Sequence, residues 1–183
     1  MFNIYIIMPS LKVEELKEIQ ELYSYNINYN FIETGSYMGS TIDNIKNNFK
    51  NIYTIELNEN LYNYCKKKFE NDKNINCLKG ESYIKLQEIL KDINNDTIFF
   101  LDGHYSGNET SKGIEDVPLL RELEVINKNF KNKGIIIIDD LRLFGSNGNE
   151  DWSKITKKNI LEKIDNIKFN LTIEKYDKFV IYI

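Results

Sequence analysis

The sequence predicts an α/β fold, with a mostly parallel seven-stranded sheet that ends in an antiparallel C-terminal hairpin and carries helices on both faces. Two observations lead to this prediction. From about residue 30, short apolar runs rich in β-branched and aromatic residues alternate with amphipathic stretches, as in strands joined by crossover helices. The last two apolar runs are separated only by residues 175–177, a gap too short for a parallel crossover, so they must pair antiparallel.

Length and composition bound the domain organisation. The 183 residues are 42% hydrophobic and 28% charged, and a chain of this length buries roughly two-thirds of the surface that its unfolded form exposes. We therefore expect a single domain over residues 1–183, with a helical extension at 1–29 and a core at 30–183. Cys65 and Cys77 form neither a metal-binding array nor a redox pair and are expected to be inert.

Charge and hydropathy exclude two classes of partner. The net charge is -4, so no basic field is available to hold a nucleic-acid backbone. Apolar runs such as those at 4–8 and 135–138 are far shorter than the ~20 residues that span a bilayer. Residues 1–9 lack a basic leader and a small-residue cleavage site, so we expect a cytoplasmic protein that binds neither nucleic acid nor membrane.

The elements follow one another in a regular order. Apolar residues at helical spacing predict an N-terminal helix over 10–25, which packs on the sheet or caps a cleft. The first five strands are predicted at 30–33, 52–56, 75–79, 97–102 and 134–139. Further helices are predicted at 41–49, 59–69, 83–90, 116–130 and 154–167, and the hairpin strands at 169–174 and 178–183. Pro118 is expected in the first turn of helix 116–130, beside the acids Glu115 and Asp116 that suit the positive helix end.

A glycine turn is expected to join the first strand to the first helix of the core. Gly35 and Gly39 lie in the pattern G-x-x-x-G, and a glycine at the carboxyl end of a strand lets the backbone approach a ligand closely. The pattern differs from the G-x-G-x-x-G turn of dinucleotide-binding proteins and from the P-loop. Glu56 ends the second strand, where a carboxylate can accept hydrogen bonds from both hydroxyls of a ribose. Together these features favour an adenosine ligand without phosphate, although a glycine turn taken alone is often only a turn.

This region resembles the first motif of the class I S-adenosylmethionine-dependent methyltransferases, E/D-x-G-x-x-x-G, followed by an acid at the end of the second strand. Here the motif reads Glu33-Thr-Gly35-Ser-Tyr-Met-Gly39, and the acid is Glu56. The resemblance covers residues 30–183 and implies a Rossmann-like methyltransferase fold with S-adenosylmethionine as the methyl donor. The contacts that it implies are Glu33, Gly35 and Ser36 near the methionine moiety, Glu56 at the ribose, and Glu81 and Ser82 at the adenine, with Gly39 as a further cofactor-binding residue. Glu81 has an alternative interpretation as a solvated acid at a helix start.

Carboxylates end the fourth and fifth predicted strands. Asp102 follows the fourth strand, and Asp139 and Asp140 follow the fifth. Adjacent parallel strands would bring the three side chains together, where they repel one another strongly unless a cation lies among them. Oxygen ligands suit Mg²⁺, Mn²⁺ or Ca²⁺, so a divalent metal is the simplest interpretation. The alternative is that these acids cap helices or pair with Arg142.

The three aspartates resemble the metal ligands of the cation-dependent O-methyltransferases of the catechol and macrocin (sugar) types. The match holds at each position, although the catechol enzymes carry Asp-Asn where this chain has Asp139 and Asp140. The resemblance implies a metal held by these residues and O-methylation of a hydroxyl on a sugar or another small molecule. Asp102 is thus expected to contact the methyl donor, to hold the cation and to take part in catalysis.

His104 is the only histidine of the chain and lies two residues after Asp102. It is a candidate general base or an extra metal ligand, with a locally hydrogen-bonded loop histidine as the alternative. The polar loop 103–113 suits a polyhydroxylated acceptor and has glycines that allow it to close. Arg142 could bind an anionic group, whereas plain packing is the favoured role of Trp152 over stacking on a sugar ring.

Three other interpretations stay open. The chain could be a non-catalytic S-adenosylmethionine-binding subunit that supports a partner, because it has no domain to cover a substrate. It could also be a metal-independent methyltransferase that uses His104 as its base. A nucleotide-dependent dehydrogenase is the least favoured, because the phosphate-binding turn is missing. Since a minimal core with short loops often completes its pocket across a subunit interface, we also expect a homodimer.

Overall fold

Seven strands form one sheet in the order β3-β2-β1-β4-β5-β7-β6. They are β1 Asn30–Thr34, β2 Asn51–Glu56, β3 Ile75–Lys79, β4 Thr97–Leu101, β5 Gly134–Ile138, β6 Leu171–Lys175 and β7 Lys178–Tyr182. β1 to β5 run parallel, and β7 pairs antiparallel with both β5 and β6. This topology confirms the predicted α/β class and the antiparallel C-terminal hairpin.

The computed structural model describes residues 11–105, 111–148, 150–164 and 171–183. Some predictions fall outside these ranges. They concern residues 1–10, the polar loop residues Ser106, Asn108 and Thr110, the end of the helix expected at 154–167, and the first two residues of the hairpin. Within the described ranges, no helix is long and apolar enough to cross a bilayer.

Six helices accompany the strands in the described part of the chain. They are α1 Val13–Glu21, α2 Ser40–Ile45, α3 Glu59–Lys68, α4 Ser82–Ile89, α5 Leu119–Asn129 and α6 Lys157–Glu162, with a short 3₁₀ helix at Leu141–Leu143. The prediction that Pro118 lies inside the first turn of α5 is wrong. Its carbonyl accepts hydrogen bonds from the N–H groups of Arg121 and Glu122, at 2.9 and 3.1 Å, so the helix begins one residue later. Glu115 and Asp116 therefore lie in the preceding loop, where they pair with Arg121 and Lys112.

Helices cover both faces of the sheet, because strand residues alternate between two apolar clusters. Ile32, Phe99 and Ile136 face a cluster that α4, α5 and α6 complete. Phe31 and Ile98 face the opposite cluster, which α1, α2 and α3 complete. The helix α1 packs on the sheet, which is one of the two roles predicted for the N-terminal helix.

The register of the central strands fixes where the chain leaves the sheet. Thr34 of β1 lies opposite Leu101 of β4, and Leu101 lies opposite Ile138 of β5. The residues that follow these three positions therefore emerge at the same level of one sheet edge. β2 is aligned with this edge as well, since Thr34 also lies opposite Ile55. The sheet thus brings the predicted functional residues to a common edge.

Candidate active site

The turn after β1 is pressed against the end of β4. Gly35 has a φ of +82°, a conformation that side chains rarely adopt. A Cβ at this position would lie 2.9 Å from the carbonyl carbon of Asp102 and closer still to its oxygen. Gly39, with a φ of +70°, precedes α2, and a Cβ there would lie 2.7 Å from the ring of Phe69. The two glycines are therefore required by close approaches, and Gly35 places the β1 turn in direct contact with Asp102.

Glu33 precedes this turn, and Ser36 lies within it. Both are buried, and Thr54 connects them: its hydroxyl donates to Glu33 Oε2 at 2.5 Å and lies 2.5 Å from the hydroxyl of Ser36. Burial raises the pKa of Glu33 to about 8. Through Thr54 of β2, the side chains of Glu33 and Ser36 therefore fix the start of the turn.

Glu56 lies at the end of β2, with its carboxylate beside the glycine turn. Its two oxygens accept hydrogen bonds from the backbone N–H groups of Tyr37, at 3.0 Å, and of Asn58, at 2.8 Å. Burial raises the pKa of Glu56, while the hydrogen bonds from Asn58 and Tyr37 lower it. Each carboxylate oxygen has a second lone pair. The side chain is thus fixed in place and keeps the capacity to accept hydrogen bonds from a ribose.

Glu81 and Ser82 lie at the start of α4, and Glu81 contacts the segment that leads into α5. Oε1 of Glu81 accepts a hydrogen bond from the N–H of Ile114 at 3.4 Å. On the β2 side, the amide of Asn58 donates to the hydroxyl of Ser111 at 3.0 Å. The chain from Ser111 to Ile114 therefore connects the side of Glu56 to the side of Glu81, the two ends of the predicted adenosine site.

Asp102, His104 and Asp140 come together at the ends of β4 and β5. Nε2 of His104 lies 2.8 Å from Oδ2 of Asp140 and 3.4 Å from Oδ1 of Asp102. One ligand atom from each residue falls within 4.8 Å of the others, the spacing of a metal-binding group. Asp140 has a left-handed backbone, with a φ of +56°, which directs its side chain to this cluster. Arg142 binds the other oxygen of Asp140 at 2.6 Å, so the alternative role of Arg142 as an ion-pair partner is confirmed.

Asp139 is the one predicted metal ligand that the structure does not place in this group. Its Oδ1 lies 3.3 Å from Nζ of Lys178 and accepts the N–H of Asp140 at 2.9 Å. Both side chains of the pair are almost fully buried, at 2% exposure for Asp139 and 3% for Lys178. Burial raises the pKa of Asp139 to about 7. The consecutive acids Asp139 and Asp140 point in different directions, as expected when one of them has a left-handed backbone.

Glu150 holds the other side of the His104 ring. Nδ1 of His104 lies 2.8 Å from Oε2 of Glu150, which also accepts a hydrogen bond from Nε1 of Trp152 at 2.8 Å. Burial opposes a positive charge on His104, but the hydrogen bonds to Asp102, Asp140 and Glu150 outweigh it and raise the pKa to about 12. Trp152 is buried, in agreement with the packing role favoured for it.

Three residues of the site were missed by sequence reasoning. Glu150 and Lys178 belong to a loop and to the last strand, and nothing in the local sequence relates them to the fourth and fifth strands. Glu122 gave a usable signal, because it lies on the apolar face of α5 between Leu119 and Leu123. Its carboxyl is buried beside Gly103, and burial raises its pKa to about 7.

Comparisons with known proteins identify the fold. No protein-family model matches the sequence, and no curated protein matches it. An O-methyltransferase from Bacillus cereus, solved in complex with S-adenosylhomocysteine (SAH), is 15% identical, with a TM-score of 0.63 over 94% of this chain and 81% of that chain. The O-methyltransferase TomG from Streptomyces achromogenes, solved with S-adenosylmethionine, is 10% identical, with a TM-score of 0.64 over 95% and 81%.

A third solved structure shares the architecture with a different assigned role. A protein from Clostridium thermocellum described as an rRNA methylase is 12% identical, with a TM-score of 0.59 over 96% of this chain and 100% of that chain. At such identities the similarity concerns the architecture alone. The chain has the fold of the class I S-adenosylmethionine-dependent methyltransferases, the family that its glycine turn and strand-end acids resemble.

Proposed function

We propose that this protein is an S-adenosylmethionine-dependent methyltransferase that uses a divalent cation to methylate a hydroxyl of a sugar or another small molecule. One observation carries the proposal. Gly35, in the turn expected to hold the methyl donor, touches the backbone of Asp102, whose carboxylate belongs to the Asp102, His104 and Asp140 group. A methyl donor and an acceptor bound at these two places would be neighbours.

The donor atoms of this group fit a small cation. Atoms about 2.1 Å from a common ion and at right angles to one another lie ~3 Å apart. The separations between His104 Nε2 and the oxygens of Asp140 and Asp102, at 2.8 and 3.4 Å, bracket that value. We therefore assign Asp102, His104 and Asp140 as the residues that would hold the cation, with Asp139 held away by Lys178.

The residues of this chain would mainly align the reactants. Transfer from a sulfonium is an in-line displacement that needs no covalent enzyme intermediate, so orientation is the main contribution. When bound, S-adenosylmethionine supplies the methyl group, and the cation lowers the pKa of the acceptor hydroxyl. Glu56 would accept the ribose hydroxyls, and Asp102, which is next to Gly35, would take the hydroxyl proton on its carboxylate.

The position of His104 argues against the metal-independent alternative. A general base must have a free lone pair at the working pH. With its pKa raised to about 12, the metal-free His104 carries protons on both ring nitrogens at neutral pH. In that state His104 donates to the acids around it and has no lone pair for a hydroxyl proton, whereas a cation bound between Asp102 and Asp140 would displace the proton of Nε2 and take its place.

The test of the cofactor is calorimetric titration with SAH, which needs no acceptor. We expect micromolar binding, and a loss of roughly 10-fold or more in Glu56→Ala, because a hydrogen bond to a charged group contributes ~1.5–3 kcal/mol. Glu59→Ala is the matched control, since Glu59 is an exposed acid of α3 that pairs with Lys79. Absence of SAH binding by the wild-type protein would refute the proposal.

The test of the reaction is turnover by the purified chain with a panel of hydroxylated acceptors, with and without EDTA. Metal-dependent transfer supports the proposal. Methyl transfer at the same rate in EDTA would show that the reaction needs no cation. SAH binding without transfer to any acceptor would favour the non-catalytic subunit instead.

A further inference from the structure

Two residues of the loop that follows β5 hold the ring of His104 in place. Glu150 lies against Nδ1, and the indole of Trp152 packs edge-on against the ring, with centroids 5.1 Å apart and an interplanar angle of 67°. The remaining nitrogen, Nε2, lies nearest to the carboxylates of Asp102 and Asp140. The orientation of this side chain is therefore fixed before any ligand binds.

We propose that Glu150 is a positioning residue that makes His104 the nitrogen donor of the cation site. The inference rests on the cation part of the proposed function and adds to it the residue that selects which ring nitrogen binds. It also makes the donor set two carboxylates and one imidazole, in place of three carboxylates.

The geometry of the ring selects the nitrogen. Nδ1 of His104 faces Glu150 at 2.8 Å, while Nε2 lies 2.8 Å from Asp140 and 3.4 Å from Asp102. Nε2 is thus the nitrogen that can share a cation with the two aspartates, and the cation would displace the hydrogen that Nε2 donates to them in its absence. A histidine that ligates a metal through one nitrogen and donates the other N–H to a carboxylate is well oriented and more basic.

Glu150 is itself fixed. The Oε2 atom that receives the His104 hydrogen also receives Nε1–H of Trp152, at 2.8 Å. Trp152 is only 3% exposed and stacks on Phe144 at 6.1 Å between centroids. Its packing thus supports the carboxylate of Glu150, and through it the ring of His104.

An imidazole donor changes which cations the site prefers. Carboxylate and water ligands alone suit Mg²⁺ and Ca²⁺, whereas imidazole suits transition ions such as Zn²⁺ and Fe²⁺. We therefore expect the site to bind a divalent transition ion more tightly than Mg²⁺, the ion that three aspartates alone would favour.

The experiment is ¹⁵N NMR of the His104 ring during titration of the metal-free protein with Zn²⁺. Since the chain has a single histidine, the two ring nitrogens are observed without assignment. We expect Zn²⁺ to shift Nε2 to a metal-bound position while Nδ1 keeps its hydrogen. Coordination through Nδ1, or Zn²⁺ that binds without changing either nitrogen, would overturn the inference.

Variants separate positioning from general stability. In Glu150→Ala we expect Zn²⁺ affinity to fall by roughly 10- to 100-fold, because the ring loses the partner that holds its Nδ1 side. Glu150→Gln should recover part of the affinity, because its amide oxygen can still accept the hydrogen from Nδ1. Asp151→Asn is the matched control: it removes a neighbouring negative charge whose contacts are to Ser153. Wild-type Zn²⁺ affinity together with wild-type ¹⁵N shifts of the Zn²⁺-bound ring in Glu150→Ala would refute the positioning role.

The same samples, titrated with SAH, distinguish the failure of this inference from failure of the proposed function. SAH binding together with Zn²⁺ that leaves both nitrogens of His104 unchanged refutes the role of Glu150 and leaves the methyltransferase proposal standing. If the wild-type protein does not bind SAH, the cofactor proposal is refuted. The Zn²⁺ titration then still decides whether Glu150 positions His104.

Discussion

At the scale of single residues, both the fold and the site depend on the absence of a side chain at Gly35. It has no Cβ, and that absence lets the β1 turn meet the backbone of Asp102. In Gly35→Ala the new methyl group would be forced against the Asp102 carbonyl in a left-handed conformation, a cost of roughly 1–3 kcal/mol from the backbone alone. We expect a lower midpoint in thermal unfolding and at least a 10-fold loss of SAH affinity by calorimetry. Wild-type values for both would contradict the close approach.

Glu33 predicts a pH dependence of stability. Its pKa is raised from 4.5 to about 8 in the folded protein because of burial, so the folded state binds a proton that the unfolded state releases between these two values. Stability from this group is therefore greatest below pH 4.5 and falls as the pH rises towards 8. The slope is at most ~1.4 kcal/mol per pH unit.

The measurement is urea unfolding of the wild type and of Glu33→Gln at several pH values in that window. Glutamine does not titrate. The unfolding free energy of the variant minus that of the wild type should therefore increase as the pH rises. Parallel curves for the two proteins would show that Glu33 ionises normally in the folded state.

Residue types and spacing in the sequence were sufficient to predict part of the site. Asp102 and Asp140 were expected together because the ends of neighbouring parallel strands meet at one edge, and the structure places them there with His104. The divergence of Asp139 was beyond sequence reasoning, because it depends on the left-handed backbone of Asp140 and on Lys178, 39 residues further on. Glu150 was missed for the same reason: only the folded loop brings it to His104.

At the scale of elements, β7 is the strand on which the acidic edge depends. It lies between β5 and β6, and its first residue, Lys178, pairs with Asp139 in the interior. Nζ of Lys178 also lies 3.9 Å from Glu15, so this one side chain connects β7, the end of β5 and α1. The hairpin was predicted from its short connection, but its place in the sheet was not, because a loop length fixes direction and not the neighbour.

Lys178→Met should be strongly destabilising. It removes one partner of a buried ion pair and leaves the Asp139 carboxylate without its cation, a change that costs ~3–5 kcal/mol. Urea unfolding of the single variant and of Lys178→Met combined with Asp139→Asn measures this. We expect the double variant to recover part of the lost free energy, and a double variant less stable than the single one would show that the two side chains are not coupled.

At the scale of the whole molecule, the predicted homodimer is still to be tested. The chain places its cofactor and cation residues along one sheet edge, and a minimal core often needs a second subunit to close such an edge. Light scattering at micromolar concentration should give about twice the mass of 21.6 kDa that the sequence has. A monomeric mass would mean that the edge is closed by the chain itself.

The position of β7 has a consequence for how the protein is made. During synthesis the ribosome releases β1 to β5 well before residues 178–182, yet β5 has its partner on that side only when β7 arrives. Until then the hydrogen-bonding edge of β5 lacks its partner strand, and the carboxylate of Asp139 lacks Lys178. A nascent chain that stops before β7 therefore carries all three residues of the cation group on an incomplete sheet, so the sheet that supports this group is complete only when β7 has emerged.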